Sequence, residues 1–388
     1  MNKIKVLVVV GLYPPVPGGA GLRAHRTYVR LKRKFNVDFK VISTNNKFQG
    51  DEYYIYEGVE TIRIQSGRSL LRLIIQVNHV ARKYDLASYD LVHVFGESLF
   101  TLAVLLWARF HNKKIIKEET LYVAADKMNG ILSLKKYLNY FRYYYPLNNI
   151  IKKTDLHISL NNNITESLVK RGIERNRIWM RPNPVDEKLF CMPTVNEIIN
   201  ARNTLNIERD DVVHLMVGFI NERKNQLFSI DVLNNLPDNH VLIIVGPISD
   251  YKYYRDVIDL IQKHQIVNRV KIYPEFKSDI RCFYHAANTL WIPSYNEGTP
   301  NVLLEALCSG IPVILNKDLH MHEYVKDDFN GFNSVLMPEE FKNMVLKMVE
   351  VAGCMEKRER VSTNAINNYG SKELDKDFYE QILKLNGE

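Results

Sequence analysis

Short apolar runs alternate with longer amphipathic stretches along most of this chain. In the first half, the apolar runs predict strands at residues 5–10, 37–43, 61–65, 91–95, 114–117 and 156–160. Amphipathic stretches such as 21–34 and 99–111 predict helices between them. Nearly continuous apolar strands separated by helices are typical of a parallel sheet that is covered on both faces.

The second half repeats this pattern. Strands are predicted at residues 213–217, 240–245, 270–273, 289–292 and 312–315, and helices at 226–233, 250–264, 279–287 and 300–309. Between the halves, Pro182, Pro184 and Pro193 indicate a connector. A chain of 388 residues is long enough for two domains, and we predict an α/β protein with domains 1–190 and 191–372.

The most informative segment is residues 295–314, which we interpret as a loop, a short helix and a strand. Thr299 is a suitable N-cap and Pro300 a suitable first helical residue, while Gly310 marks the end of the helix. The helix is apolar on almost every side, so it is predicted to be buried.

Two carboxylates, Glu297 and Glu305, nevertheless lie in this segment. Buried carboxylates are costly without partners, and no basic residue is near either one in sequence. A ligand rich in hydroxyl groups would supply donors, and the helix start suits a phosphate. Both features together indicate a nucleotide sugar. The alternative is a solvent-exposed Glu297 and a Glu305 that is bonded to backbone.

The segment resembles the signature of the retaining glycosyltransferases of family 4, in which two glutamates are separated by seven residues. Glu297-Gly298-Thr299-Pro300 through Glu305 matches this pattern. The resemblance implies that Glu297 contacts hydroxyls of the donor sugar and is catalytic, and that Glu305 holds the ribose. It also implies donor contacts at the helix start, from Thr299, Pro300 and Asn301.

The same resemblance implies the GT-B fold, in which two doubly wound Rossmann-like domains face each other across a cleft. In that fold the last helix, within 373–388, packs back on the N-terminal, acceptor-binding domain. The C-terminal domain then holds the nucleotide sugar. Ligands of such sheets bind beyond the carboxyl ends of the strands.

Cations for the donor diphosphate are expected after the first strand of the second domain. Lys224 matches a lysine of the family and is predicted to be catalytic, whereas Phe219 stands where an arginine is usual. Arg223 is our candidate replacement from a neighbouring position. Gly246, at the end of the next strand, matches a family turn beside the nucleotide.

The first domain offers fewer candidates. Gly18 and Gly19 match a family loop that faces the donor phosphates, and glycine lets backbone approach a ligand closely. Many relatives have a histidine near the transferred sugar, but residues 116–126 contain none. Glu119 or Asp126 could serve the acceptor instead, although a surface loop without a role explains them equally well.

Composition limits the chemical classes of binding partner and the compartment in which the protein is expected. Lys and Arg exceed Asp and Glu by 52 to 44, so an anionic partner is favoured, but no nucleic-acid-binding motif is present. Scattered cysteines and a first strand without a signal-peptide cleavage site predict a cytoplasmic protein. Basic stretches rich in apolar residues, at 69–84 and 134–145, could lie on an anionic membrane surface or form ordinary core helices.

We therefore predict a retaining glycosyltransferase that moves a sugar from a nucleotide-diphosphate sugar to a hydroxyl of a glycan or lipid-linked acceptor. No cofactor and no metal are expected, because cations and helix N–H groups would stabilise the departing diphosphate. Two alternatives stay open. One is an epimerase or phosphorylase of the same architecture. The other is a non-catalytic subunit that binds nucleotide sugars, which Phe219 and the missing histidine make plausible.

Overall fold

A computed structural model describes residues 3–16, 18–44, 52–65, 67, 69–119, 145–277 and 279–387. The chain divides into two compact units, one comprising Met1–Pro182 with Glu373–Glu388 and the other Asn183–Lys372. The division falls ahead of the predicted boundary at 190, so residues 183–190 belong to the second unit.

Contacts of the proline-rich segment explain this boundary. The Asn183 side chain donates to the carbonyl of Thr299, and the backbone of Val185 bridges to that of Gly370. Phe190 is buried in the core of the second unit, where its ring packs edge-on against Tyr284. A segment with this many contacts is part of the second domain.

In the described part of the first unit, eight strands form one sheet in the order β3-β4-β2-β1-β5-β6-β7-β8. The strands are β1 Ile4–Val10, β2 Val37–Ser43, β3 Tyr53–Tyr56, β4 Val59–Arg63, β5 Leu91–Phe95, β6 Lys114–Glu118, β7 Leu156–Ser159 and β8 Ile178–Met180. All neighbours pair in parallel except the edge strand β3, which is antiparallel to β4. The helices between them are α1 Gly19–Lys34, α2 Leu70–Lys83, α3 Leu99–Phe110, α4 Tyr145–Ile151 and α5 Asn162–Lys170.

The second unit contains a six-stranded, wholly parallel sheet in the order β11-β10-β9-β12-β13-β14. Its strands are β9 Val212–Val217, β10 His240–Val245, β11 Val270–Tyr273, β12 Thr289–Ile292, β13 Val313–Asn316 and β14 Gly331–Ser334. Its helices are α6 Val195–Thr204, α7 Gln226–Asn234, α8 Tyr251–Lys263, α9 Arg281–Ala286, α10 Asn301–Cys308, α11 Pro338–Ala352 and α12 Met355–Tyr369.

The prediction of two α/β domains with parallel sheets is confirmed, but three edge strands were missed. Strands β3, β8 and β14 have at most four residues each, and β3 and β8 are half-exposed or exposed throughout. An edge strand has a neighbour on one side only, so its sequence needs less apolar character. Hydrophobic runs therefore identify every central strand, but of the four edge strands they identify only β11.

The last helix, α13 Ser371–Asn386, belongs to the first unit from Glu373 onward. Phe378 and Ile382 are fully buried in the core beneath the first sheet. Asp375 on the same helix is also fully buried, and its carboxylate pairs with Arg30 at 2.6 Å and with Arg181 at 3.5 Å. Two guanidinium groups thus tie this helix to α1 and to the end of β8.

Replacing Asp375 with asparagine should destabilise the first unit by about 3 kcal/mol, because two buried cations lose their counter-charge. Urea unfolding followed by circular dichroism measures the change. The matched control is Asp377→Asn, which removes an exposed carboxylate from the same helix and should shift stability by less than about 0.5 kcal/mol. Equal effects of the two variants would contradict the role of the buried ion pairs.

Candidate functional site

The second sheet reverses its strand order at β9, which lies between β10 and β12. Strands β9 and β12 pair in parallel, with His214 opposite Thr289 and Leu215 opposite Leu290. Their carboxyl ends therefore open at the same edge of the sheet, where open α/β sheets bind ligands. The loop 218–225 leaves β9 at this edge, and the loop 293–300 leaves β12 beside it.

Three hydrogen bonds hold these two loops together. The Asn225 side chain donates to the carbonyl of Pro293 at 3.3 Å, and the N–H of Tyr295 donates to the carbonyl of Arg223 at 3.0 Å. The Arg223 guanidinium donates to the carbonyl of Asn296 at 2.8 Å. Each of these bonds is accepted by a backbone carbonyl of one of the two loops. The backbone from which the charged side chains project is therefore held in place.

Glu297 lies between two cations contributed by the other loop. Its Oε1 atom is 2.6 Å from Lys224 Nζ and 2.8 Å from Arg223 Nη1. The exposed fraction of the side chain is 8% for Glu297, 12% for Lys224 and 40% for Arg223. Burial by itself would raise the pKa of Glu297, but Lys224 and Arg223 outweigh it and lower that pKa.

This cluster corrects one expectation. No basic residue is near Glu297 in sequence, and we expected ligand hydroxyls to be its partners, yet two cations from the other loop pair with it. The pairing was not visible from sequence distance, since Lys224 and Glu297 are brought together only by the contact of β9 with β12. The structure places Glu297 inside and not in bulk solvent, as the predicted site requires.

Two glycines give the cluster its shape. Gly218 has φ +142°, and a Cβ atom at this position would lie 2.8 Å from Cε of Lys224. Gly246 has φ +143°, and a Cβ there would lie 2.2 Å from the carbonyl oxygen of Gly218. Both conformations favour glycine, and both positions leave room for only a hydrogen. The ends of β9 and β10 therefore approach closely directly under the Lys224 side chain.

Glu305 is buried on α10, where its Oε2 atom accepts a hydrogen bond from the hydroxyl of Tyr284 at 3.0 Å. Tyr284 is on α9 and is fully buried. Sequence reasoning did not single out this tyrosine, because an aromatic residue in an apolar helix indicates core packing. The predicted contact of Glu305 with a ribose remains a prediction.

The helix start differs from the expectation by one residue. The N-cap of α10 is Pro300, which makes no side-chain cap hydrogen bond, and the first helical residue is Asn301. Thr299 is buried instead, with its carbonyl accepting from Asn183 at 2.7 Å. Thr299 thus anchors the loop. The first turn of α10, which begins at Asn301, follows Glu297 closely in sequence.

The predicted residues of the first unit form a separate set. Gly18 is the N-cap of α1 and Gly19 is its first residue, where an added Cβ atom would have no neighbour within 4 Å. The tight position is Gly21, where a Cβ would lie 2.0 Å from the carbonyl oxygen of Leu12. This glycine, which the sequence pattern did not single out, lets α1 begin directly against the loop that follows β1.

Glu119 is buried at the end of β6, where its carboxylate is 3.0 Å from Nζ of the fully buried Lys117. An interior ion pair is not the surface loop considered as the alternative, and an acceptor role for Glu119 stays a prediction. Asp126, the other acceptor candidate, lies outside the described residues.

A second buried ion cluster surrounds the neighbouring Glu118, which sequence reasoning missed. Glu118 pairs with Arg23 from α1 and is 3.5 Å from Nε2 of His93. Burial would raise the pKa of Glu118, but Arg23 and His93 lower it to about 2. The only sequence signal was the polar run at the end of an apolar strand, which does not identify partners.

Comparisons with known proteins identify the second unit. Residues 197–368 match the family model of the glycosyl transferases group 1. The match lies within the second unit, which is similar to this family. Among curated relatives, it is 29% identical over 191 residues to the UDP-Gal:alpha-D-GlcNAc-diphosphoundecaprenol alpha-1,3-galactosyltransferase of Escherichia coli, a match covering 47% of each chain. It is 24% identical over 228 residues to the alpha-galactosylglucosyldiacylglycerol synthase of Streptococcus pneumoniae, covering 57% of this chain and 59% of the relative. The chain thus spans about half the length of these curated relatives.

The fold comparison extends over both units. Superposition on HepE from Anabaena, solved in complex with UDP and glucose, gives a TM-score of 0.76 at 18% identity. The match covers 98% of this chain and 100% of HepE. The predicted GT-B fold is therefore confirmed.

Two kinds of feature are absent from the part of the chain that the structure describes. Within those residues, no group of three or more His, Cys, Asp or Glu side chains is arranged to hold a metal ion. No described helix combines the length and the apolar character needed to cross a membrane.

Replacing Gly218 with alanine should displace the Lys224 side chain, because the added methyl group would crowd its Cε atom. We expect binding of inorganic pyrophosphate, measured by calorimetry, to weaken about tenfold, as for the loss of one charge-assisted contact. The matched control is Gly353→Ala, at φ −74°, where the nearest atom is 3.4 Å from the new Cβ. Unchanged pyrophosphate affinity in Gly218→Ala would count against this position of Lys224.

Proposed function

We propose that this chain is a retaining glycosyltransferase that uses a nucleotide-diphosphate sugar. The observation that carries the proposal is the cluster of Arg223, Lys224 and Glu297 at the reversal of strand order in the second sheet. Two cations at the mouth of a parallel sheet suit a diphosphate, and a carboxylate beside them suits sugar hydroxyls. The family match over residues 197–368 and the names of the two curated relatives support the same reaction class.

Phe219 stands where an arginine is usual in the family, and Arg223 supplies the positive charge instead. Its guanidinium reaches the same carboxylate oxygen as Lys224, although it starts from the neighbouring residue in the chain. The Phe219 side chain is only partly buried, and its carbonyl accepts from the Gln226 side chain at 3.1 Å. An arginine at position 223 can therefore complete the pair of positive charges with Lys224, although position 219 has no cation.

The chemistry follows from where charge develops. Cleavage of the bond between sugar and diphosphate leaves an oxocarbenium-like sugar and a departing diphosphate with added negative charge. Lys224, Arg223 and the N–H groups of the first turn of α10 would stabilise that charge. Since these groups supply the positive charge, we propose that transfer needs no metal ion and no cofactor.

The acceptor is a hydroxyl of a glycan or of a lipid-linked acceptor. The Escherichia coli relative is named for transfer to a diphosphoundecaprenol-linked sugar, and the Streptococcus relative for synthesis of a glycosyldiacylglycerol. These names support a role in bacterial surface polysaccharide or lipopolysaccharide synthesis. Gly18 and Gly19 at the start of α1 would approach the donor phosphates, and Glu119 and Asp126 are candidates for the acceptor side.

Alanine substitutions of the two glutamates should separate their roles. Glu297→Ala should abolish transfer while nucleotide binding survives, because this carboxylate acts on the sugar. Glu305→Ala should mainly weaken nucleotide binding, by roughly tenfold for a lost hydrogen-bonded carboxylate. A thermal-shift screen of UDP-, GDP- and ADP-sugars first identifies the donor, and transfer is then assayed with it in the presence of EDTA.

Tyr284→Phe is the control for Glu305→Ala, since it removes the hydroxyl that donates to Glu305 and keeps the ring in the core. Weaker nucleotide binding in Glu305→Ala alone assigns the effect to the carboxylate. Normal transfer by both glutamate variants would refute the site.

We further propose that the protein works on the cytoplasmic face of a membrane, attached at its surface. Helix α2 contains no acidic residue. The exposed fractions of Leu71 and Ile75, one turn apart, are 67% and 59%. Basic and polar side chains surround them on the same helix: Arg72, His79, Arg82 and Lys83. An apolar pair among cations suits the surface of an anionic bilayer.

The second candidate stretch, 134–145, ends one residue into α4, and 134–144 lies outside the described residues.

The variant Ile75→Glu should bind vesicles containing phosphatidylglycerol roughly tenfold more weakly than the unaltered chain, because it replaces an inserting side chain by a repelled one. Co-sedimentation measures the bound fraction. Val267→Glu is the matched control, since Val267 in the second unit has the same 59% exposure and the charge change is identical. Equal loss in both variants, or no binding by the unaltered chain, would refute this surface.

A further inference from the structure

The Glu297 carboxylate contacts the two cations that the proposed function assigns to the diphosphate. A single atom, Oε1, is within 2.8 Å of both Lys224 Nζ and Arg223 Nη1. A diphosphate bound at these cations would need the same positive charges at the same place. The arrangement therefore makes Glu297 a competitor of the ligand's phosphates as well as a neighbour of its sugar.

Local charge supports this competition. The two cations and one carboxylate leave a net charge of one positive unit, whereas a nucleoside diphosphate carries at least two negative charges near neutral pH. Glu297 is nearly buried, so its charge is poorly screened by solvent. A phosphate entering beside it would gain the attraction of two cations and suffer the repulsion of one anion.

The loop that carries the cations is held in place independently of Glu297. The Arg223 guanidinium donates to the carbonyl of Asn296, and the backbone carbonyl of Arg223 accepts from the N–H of Tyr295. The backbone N–H of Lys224 donates to the Asn221 side chain at 3.2 Å. The aliphatic part of the Lys224 side chain lies against Gly218. Losing the carboxylate would therefore free both positive charges without releasing the loop that carries them.

We propose that Glu297 is an internal counter-anion that competes with the diphosphate for Arg223 and Lys224 and thereby promotes release of the nucleoside diphosphate after transfer. The inference rests on the proposed function and deepens it. While the sugar is attached, its hydroxyls engage Glu297 and draw the carboxylate away from the cations. Once the sugar has left, Glu297 recovers both cations and weakens their hold on the product.

The test measures binding of ligands that contain phosphates but no transferable sugar. Isothermal titration calorimetry with UDP, GDP, ADP and inorganic pyrophosphate is carried out on the full chain and on Glu297→Gln, which keeps the shape and removes the charge. We expect Glu297→Gln to bind pyrophosphate and the preferred nucleoside diphosphate roughly tenfold more tightly, because one repulsive charge contact is removed. A thermal melt of each variant verifies folding, and Glu297→Ala, which also removes the charge, should tighten binding in the same direction.

Glu222→Gln is the matched control. Glu222 is exposed in the same turn as Arg223 and Lys224, so the substitution changes net charge equally without touching their contacts with Glu297. It should alter pyrophosphate affinity less than about twofold, since exposed charges are screened. Equal tightening in Glu222→Gln and Glu297→Gln would overturn the inference, because it would indicate a general field and not a specific contact.

The remaining outcomes separate the inference from the function on which it rests. Unchanged or weaker binding by Glu297→Gln and Glu297→Ala would overturn the counter-anion role, while binding of UDP, GDP or ADP by the unaltered chain would leave the proposed donor site standing. If the unaltered chain bound neither pyrophosphate nor any of the three nucleotides, both proposals would fail.

Discussion

The parallel pairing of β9 with β12 is the constraint on which the candidate site depends. It joins strands that are separated by three helices in the chain and places their carboxyl ends at one edge. The loops that leave these ends carry opposite charges, with cations after β9 and a carboxylate after β12. Because the loops are also joined through backbone groups, the charged side chains meet in a defined geometry.

Close backbone approach is the second requirement. The glycines at 218 and 246 have conformations that other residues rarely adopt, and each leaves space for only a hydrogen. Through them the ends of two strands and the stem of Lys224 come together. This support fixes the backbone that carries Lys224, and fixed positions of charged groups are what preorganised charge in catalysis requires.

The first unit uses buried charge for a different purpose. Asp375 joins the last helix to two arginines, and Glu118 joins the end of β6 to α1. Such pairs cost desolvation energy, so their main effect is to specify which partners meet. The C-terminal helix is thus directed to one place in the first unit, although the chain has passed through the whole second unit before reaching it.

The sequence by itself determined the alternation of central strands and helices, because burial on both faces of a parallel sheet demands continuous apolar runs. It also identified the paired glutamates, since charge stands out in an apolar segment, while the lysine at 224 and the glycine at 246 were identified by the family resemblance. It did not show that Glu297 pairs with Arg223 and Lys224, that Tyr284 donates to Glu305, or that Glu119 pairs with Lys117 inside the first unit. Those contacts join residues through strand pairing, helix packing and side-chain direction. Only the tertiary structure decides them, because a linear pattern records which groups need partners and not which groups arrive beside them.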